Sequence, residues 1–236
     1  MQDFKKIFNN TSLFSKVSHE LRTPVHGIKG LAEYLRNNWE KLDEKTKKSC
    51  MDDIFESACS LEDIIEKLFQ LANFSDNNIN FHFEKIDIIK VVQDAVERNN
   101  LFITDKNAVN LFLECADKEI KISIDQFWIK QLVSNLISNA IKHSRAKNIK
   151  VKINSEKTVD SKNMIISVID DGVGIPSKEL GSIFEAFKQG SNINESLKGS
   201  GLGLAICKEI VVAHGGEIWA KNNETGGTSV SFSLSK

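Results

Sequence analysis

The 236-residue chain has no run of about 18 apolar residues, so no segment of it reads as a membrane-spanning helix. The opening MQDFKKIFNN lacks the apolar stretch of a signal peptide. Net charge is almost absent: 31 basic residues face 32 acidic ones, a formal balance of −1. No global basic field therefore points to nucleic acid or to an anionic membrane, although local basic groups could still bind phosphates. Cysteine is sparse and unpatterned. Cys50, Cys59, Cys115 and Cys207 show no CxxC spacing, which argues against a zinc site or a disulfide framework and fits reduced thiols in a cytosolic compartment. There is no internal repeat and no low-complexity block. The apolar fraction of 41% suffices for the ordinary cores of one or two domains.

Glycine and proline are scarce in the first 75 positions, which hold only Gly27, Gly30 and Pro24. What is there instead is helical periodicity. Phe14, Val17, Leu21, Pro24, Ile28, Leu31 and Leu35 alternate by three and four, and so do Met51, Ile54, Ala58, Leu61, Ile65, Leu68 and Ala72. The short NNWEKLDEK between them suits antiparallel neighbours. A lone two-helix hairpin buries such seams poorly, which predicts dimerisation into a four-helix bundle.

The first helix carries the stretch around which the chain is organised, Ser18-His19-Glu20-Leu21-Arg22-Thr23-Pro24. His19 is two residues from Val17 and from Leu21, hence off the core stripe and pointing outward. Thr23 lies one turn beyond it on the same face. Pro24 lacks an amide hydrogen and crowds the carbonyl of Glu20, which predicts a bend there. A carboxylate beside an imidazole can hold one ring nitrogen's proton and leave the other as a nucleophile. Taken alone, the stretch reads equally well as a surface helix with a solvated histidine.

The polar segment Asn73–Asn80 reads as a linker, and beyond it the pattern changes. FHFEKIDI, AVNLFLEC, EIKISID, IKVKINSE, MIISVID, EIWAKN and TSVSFSLS read as strands. IIKVVQDAVERNN, a long stretch from Asp125 to about Ser144, and GLGLAICKEIVVAHG read as helices. Strands and helices without regular βαβ alternation predict an α/β sandwich, a mostly antiparallel sheet under one helical layer.

Four features of this region carry chemistry. Asn135, Asn139 and Lys142 share a helix face, with Val133, Leu136, Ile137 and Ala140 turned to the sheet. Two amides and an ammonium suit a phosphate-bound magnesium ion, or else an ordinary solvated face. Asp170-Asp171-Gly172-Val173-Gly174-Ile175 follows an apolar strand. A carboxylate there could accept the exocyclic amine of adenine while glycines let the backbone approach the base; a tight Asp-Gly turn is the other reading. Gly199-Ser200-Gly201-Leu202-Gly203-Leu204 opens a helix, whose free amides form an anion site. It matches neither a Walker A loop nor GxGxxG, because no Lys-Ser/Thr follows and position 206 is Ile. Between these lies LGSIFEAFKQGSNINESLK, with Phe184 and Phe187 flanking a helical turn: a mobile lid or a plain long loop.

The ordered set SHELRTP, NLISNAIKHS, IDDGVGI, IFEAF and GSGLGLAI resembles the H, N, G1, F and G2 boxes of the sensor histidine kinases of two-component systems, over nearly the whole chain. The resemblance implies a dimerisation and histidine-phosphotransfer domain at 1–75 and a catalytic ATP-binding domain of the Bergerat type at 80–236. It makes His19 the phosphoacceptor, with Glu20 taking its proton and Thr23 serving a phosphatase reaction. Asn139 and Asn135 would hold Mg²⁺ against the phosphates of ATP, Lys142 would touch phosphate, and Asp170 with Thr228 would read adenine. Gly172, Gly174 and Ile175 would flank the base. Gly199, Ser200, Gly201, Leu202, Gly203 and Leu204 would lie by the phosphates. Phe187 belongs to the F box, and either Lys188 or Lys198 would meet the γ-phosphate. His143 stands where tyrosine or phenylalanine is frequent. The implied partners are a second copy and a response regulator, with no nucleic acid and no membrane contact from this segment. The implied location is cytoplasmic, within a longer sensor that a membrane could anchor. A Bergerat-type ATP hydrolase would need a base where this chain has Asn135. A nucleotide-binding dimeric scaffold is the other alternative.

Overall fold

The computed structural model describes residues 11–75, 78–103, 109–155, 163–190 and 199–235. The chain separates into two compact units, Met1–Asn78 and Ile79–Lys236.

The first unit is a helical hairpin. Helix α1 (Thr11–Asn38) runs unbroken through Pro24, and a single 3-10 turn (Trp39–Lys41) leads to α2 (Glu44–Ser75). Asp43 starts α2 by accepting the Thr46 amide at 2.6 Å, a side-chain cap that satisfies one otherwise orphan donor. Lys47 lies 4.7 Å over the Trp39 ring, bracing the turn. A Cβ on Gly27 would sit 3.4 Å from Ser57 Oγ, so the helices approach closely there. Helix α2 continues to Ser75 and buries Phe74, so the linker starts later than its polar residues suggested.

The seam of α1 lies where periodicity placed it, with Val17 and Leu35 buried and Leu21, Pro24, Ile28 and Leu31 partly so; the side chain of Phe14 lies outside the described residues. On α2 the inward row is shifted. Ile54, Leu61, Leu68 and Ala72 of the expected row are partly buried, but Met51, Ala58 and Ile65 are exposed, and Cys50 and Ile64 are buried in their place. The helix carries two adjacent apolar stripes, and α1 covers only one. The uncovered stripe is Met51, Phe55, Ile65 and Phe69, with Phe55 70% exposed.

The second unit is an α/β sandwich. Its strands are β1 (Glu84–Asp87), β2 (Asn110–Cys115), β3 (Lys121–Ile124), β4 (Asn148–Ser155), β5 (Asn163–Asp170), β6 (Ile218–Asn222) and β7 (Thr228–Ser235). Its helices are α3 (Ile88–Phe102), α4 (Gln126–His143) and α5 (Gly203–Ala213). A five-stranded sheet has the order β2-β4-β5-β7-β6, antiparallel except for the parallel pair β2–β4. Strands β1 and β3 form a separate antiparallel ribbon, a division that strand patterns alone did not foretell.

Period-2 alternation decides which face each strand residue takes. Ile149, Val151, Ile153, Met164, Ile166, Val168, Phe232 and Leu234 are buried on one face of the sheet, and Ile129, Leu132, Val133, Leu136, Ile137, Ile206 and Ile210 are buried on the helices that pack against it. Each such side chain contributes about 1.5–3 kcal/mol on burial. The opposite face carries the interleaved Ser167, Ser231 and the lysines Lys150 and Lys152, which share Glu114.

Phe81 and Phe83 precede β1 instead of joining it, because their rings pack against His214, with centroids 5.6 and 5.0 Å away. His214 closes α5, its Nδ1 2.8 Å from Ile210 O, while Asp125 N donates to its Nε2 at 3.2 Å. These bonds need the neutral ring, with the proton on Nδ1. Asp125 also caps α4, accepting the amides of Phe127, Trp128 and His82. Burial pushes the pKa of His214 below its ordinary value, opposed by the Ile210 hydrogen bond and the Asp125 charge. A histidine held neutral in the fold contributes stability above its unfolded pKa and loses it as pH falls through the folded one. Thermal melts from pH 7.5 to 5 should show stability falling on acidification, by at most about 1.4 kcal/mol per pH unit from this group. The slope should flatten in His214→Asn; an unchanged slope would assign the acid loss elsewhere, for instance to His143.

Candidate active site

On α1, the His19 side chain is 78% exposed, and its Nδ1 lies 3.9 Å from Glu20 Oε1. That distance is electrostatic contact, too long for a hydrogen bond. The hydroxyl of Thr23 donates to the His19 carbonyl at 3.3 Å, keeping it on the turn that bears the imidazole. An exposed imidazole with a carboxylate at its flank is a nucleophile open to an incoming electrophile, with a proton acceptor at hand.

In the second unit, strand β5 ends on Asp170, which is buried at 7% exposure. The Gly172 amide donates to its Oδ1 at 2.9 Å. Burial raises the carboxyl pKa, against the backbone hydrogen bonds from Gly172 and Thr228 that lower it. Thr228, at the start of β7, is likewise buried.

The loop after Asp170 is held on both sides by residues that the sequence did not single out. Val173 N donates to Ser144 O at 2.9 Å, and the exposed Asp171 accepts Lys147 N, Asn148 N and Asn148 Nδ2. The hydrogen bonds from Asn148 hold the Asp171 carboxyl below its ordinary pKa. Across the sheet, Asn222 exchanges two bonds with Ile175, and Asn223 Nδ2 donates to Asp170 O at 3.0 Å. The only sequence trace of this support is the NNETGG turn. A Cβ on Gly172 would lie 2.0 Å from Ser144 O, and one on Gly227 2.0 Å from Asp170 O. Both positions need glycine because backbone passes where a side chain would begin. Gly174 has φ +75°, the left-handed region that glycine enters at little cost.

Helix α4 brings up the amide face. Asn135 and Asn139 are half-buried and Lys142 is exposed, whereas Val133, Leu136, Ile137 and Ala140 are buried against the core. Asn135 is committed to α5: its Nδ2 donates to Gly203 O at 2.9 Å and to Cys207 Sγ at 3.4 Å. His143, half-buried on the last turn, has a buried Nδ1 without a hydrogen-bond partner, and desolvation, with Lys142 nearby, lowers its pKa.

The glycine-rich turn enters α5 with Ser200 and Leu202 buried and Gly201 at φ +67°. Leu202 occupies the N-cap and offers no side-chain hydrogen bond. The Gly201 carbonyl accepts Phe187 N at 2.9 Å, and Gln189 Nε2 donates to Gly199 O. Phe187 is buried, with φ +60°, and Lys188 is exposed. The segment before it is a chain of four-residue turns (Glu179 N to Pro176 O, Ser182 N to Glu179 O, Glu185 N to Ser182 O, Lys188 N to Glu185 O), so a single turn and no regular helix lies between Phe184 and Phe187. Lys198 lies outside the described residues.

A purine nucleotide fits these groups. Asp170 offers a buried acceptor, His143 Nδ1 an unsatisfied position, and the start of α5 amides without a capping side chain. Among the described residues no three His, Cys, Asp or Glu gather to hold a metal ion. A divalent ion would rest on amide and phosphate oxygens, the ligands that magnesium takes.

Two family models match the chain: the His Kinase A (phospho-acceptor) domain over residues 9–76, and the histidine kinase-, DNA gyrase B-, and HSP90-like ATPase over residues 124–236. The chain belongs to the sensor histidine kinases. This histidine kinase is 35% identical to the sensor protein KdpD of Clostridium acetobutylicum over 228 residues, 96% of the chain and 25% of that protein. Among solved structures it is similar to the Acinetobacter baumannii histidine kinase AdeS, with a TM-score of 0.71 and 25% identity over 92% of this chain and 97% of that one. It shares the fold of the histidine kinase ThkA, solved in complex with the response regulator protein TrrA, with a TM-score of 0.76 and 23% identity over 98% of this chain and 63% of that one. The kinase spans between a quarter and about half of the length of the curated relatives it matches. Among the described residues no helix is long and apolar enough to cross a membrane.

Proposed function

We propose that the chain transfers the γ-phosphoryl group of ATP to His19 and passes it on to an aspartate of a response regulator. The observation that carries this reading is the exposure of His19, a nucleophile with a carboxylate beside it, in a chain that also holds a buried adenine-type carboxylate at Asp170. In the first step a ring nitrogen of His19 attacks the γ-phosphorus, the bond to the bridging oxygen breaks, and ADP leaves. The imidazole proton passes to Glu20, leaving a phosphoramidate. Asp170 and the backbone around Gly172 fix the base, and the start of α5 with Lys142 and Lys188 meets the phosphates. Asn139, with Asn135 Oδ1, would hold Mg²⁺, which supplies charge neutralisation on the phosphate oxygens. Positioning and electrostatics carry such transfers.

Hydrolysis is disfavoured by Asn135. Its amide donates both to Gly203 and to Cys207 and cannot take a proton from water. Incubation with γ-labelled ATP and magnesium separates the readings. Acid-labile, base-stable label on the protein supports the kinase, label released as phosphate supports a hydrolase, and bound unreacted nucleotide supports a scaffold. Dimerisation through the exposed stripe Met51, Phe55, Ile65 and Phe69 completes the proposal.

The same helix face would serve the reverse reaction. Thr23 Oγ1 needs only to leave the His19 carbonyl to orient a water toward a docked aspartyl phosphate. Thr23→Ala is expected to keep most His19 labelling and lose most acceleration of regulator dephosphorylation measured with ADP present, and Thr23→Asn to keep part of it. Parallel loss of both activities would remove the separate role of the hydroxyl.

A further inference from the structure

We propose that Cys207 is a positioning residue, which together with the Gly203 carbonyl sets the direction of the Asn135 side-chain amide and so aims Asn135 Oδ1 at the phosphate-bound metal. The inference rests on the nucleotide reading above and adds to it a residue with no contact to nucleotide. Asn135 Nδ2 lies 2.9 Å from Gly203 O and 3.4 Å from Cys207 Sγ, so its two hydrogens have two acceptors on α5. Cys207 is fully buried, and its thiol points toward Leu132 O at 4.0 Å on α4, leaving sulfur lone pairs for the amide. Turning the amide over would set Oδ1 against a carbonyl oxygen and a sulfur, a contact between acceptors only.

The amide is planar, so fixing both hydrogens fixes the oxygen. A Cβ on Gly203 would fall 3.0 Å from Asn135 Nδ2 and 3.1 Å from Oδ1, which shows the amide lying against the first residue of α5, where the glycine-rich turn ends. A half-buried asparagine without the sulfur would keep one hydrogen bond and gain a second orientation, with its NH₂ presented where a cation needs an oxygen. Cys207 thereby links helix α4, which carries the amide face, to the turn that carries the anion site.

The test compares Cys207→Val, which stays apolar and adds one methyl group but removes the acceptor, with Cys207→Ser, which keeps an acceptor. A non-hydrolysable ATP analogue is titrated with Mg²⁺ and with EDTA, alongside thermal melts and the ¹⁵N spectrum of the Asn135 side-chain amide. Cys207→Val is expected to reduce the affinity gained from Mg²⁺ by about three- to tenfold, the worth of one modest hydrogen bond, leaving affinity in EDTA unchanged. Cys207→Ser should restore the gain. The Asn135 amide signals should shift and broaden in the valine variant. In an Asn135→Ala background the difference between cysteine and valine should vanish, a coupling that a packing role would not show. Should the valine variant melt too low to titrate, Cys207→Ala takes its place in the same cycle. A full Mg²⁺ gain in the valine or alanine variant, with unshifted amide signals, would overturn the proposal. Wild-type protein that binds no analogue would overturn the nucleotide reading instead, and the amide spectrum would still judge the clamp.

Discussion

His19→Gln is expected to carry no detectable acid-labile label after incubation with γ-labelled ATP and magnesium, while binding an ATP analogue within about twofold of wild type. The loss is complete because glutamine has no nitrogen lone pair free to attack phosphorus; its amide nitrogen is not nucleophilic. Nucleotide affinity stays because the imidazole is 78% exposed on α1, while the groups assigned to nucleotide belong to the second compact unit. Exposed substitutions of this kind change stability by no more than about 0.5 kcal/mol. Label that persists, with its site mapped to another residue, would remove His19 as the acceptor.

Asp170→Asn is expected to weaken ATP-analogue binding by roughly 10- to 150-fold, corresponding to about 1.5–3 kcal/mol for a lost charge-assisted bond. The structure explains why the near-isostere fails. Gly172 N donates to Asp170 Oδ1, so an asparagine must turn its oxygen to that amide. Its NH₂ then faces the adenine amine, donor against donor. Folding stability should hold or rise in the same variant. Burial raises the carboxyl pKa of Asp170, so the ionised group opposes folding at neutral pH, an effect relieved only as pH falls through the folded pKa toward the lower unfolded one. Asparagine removes that charge altogether. A titration matching wild type would refute the adenine assignment, and a large drop in melting temperature would make Asp170 a structural residue instead.

The uncovered stripe on α2 shows where a periodic sequence ceases to decide. Met51, Ala58 and Ile65 share a seven-residue spacing with Cys50, Ser57 and Ile64, so two rows run side by side on one helix and the first is the more apolar of the two. Only the presence of α1 against one row selected it. Likewise, the strand pattern of the second unit was plain, yet the register of β2 beside β4 in parallel and the separation of the β1–β3 ribbon depend on contacts between residues far apart in the chain.

The sequence by itself determined the helices by their periodicity, the alternating strands, and the residue types to which chemistry is assigned: His19 beside Glu20, the amides of α4, Asp170 before glycine, and the glycine-rich opening of α5. Those are local properties, read within one turn of helix or one stretch of strand. The tertiary structure decided what these groups are tied to. It gave Asn135 to Gly203 and Cys207, placed the supports of the loop after Asp170 at Ser144, Asp171, Asn222 and Asn223, and fixed His214 as the link between α5 and the start of α4. The physical reason is separation along the chain: Asn135 meets a thiol 72 residues away, and Asp125 meets an imidazole 89 residues away. No local pattern signals such a bond, since either partner would look the same in a sequence that folded otherwise.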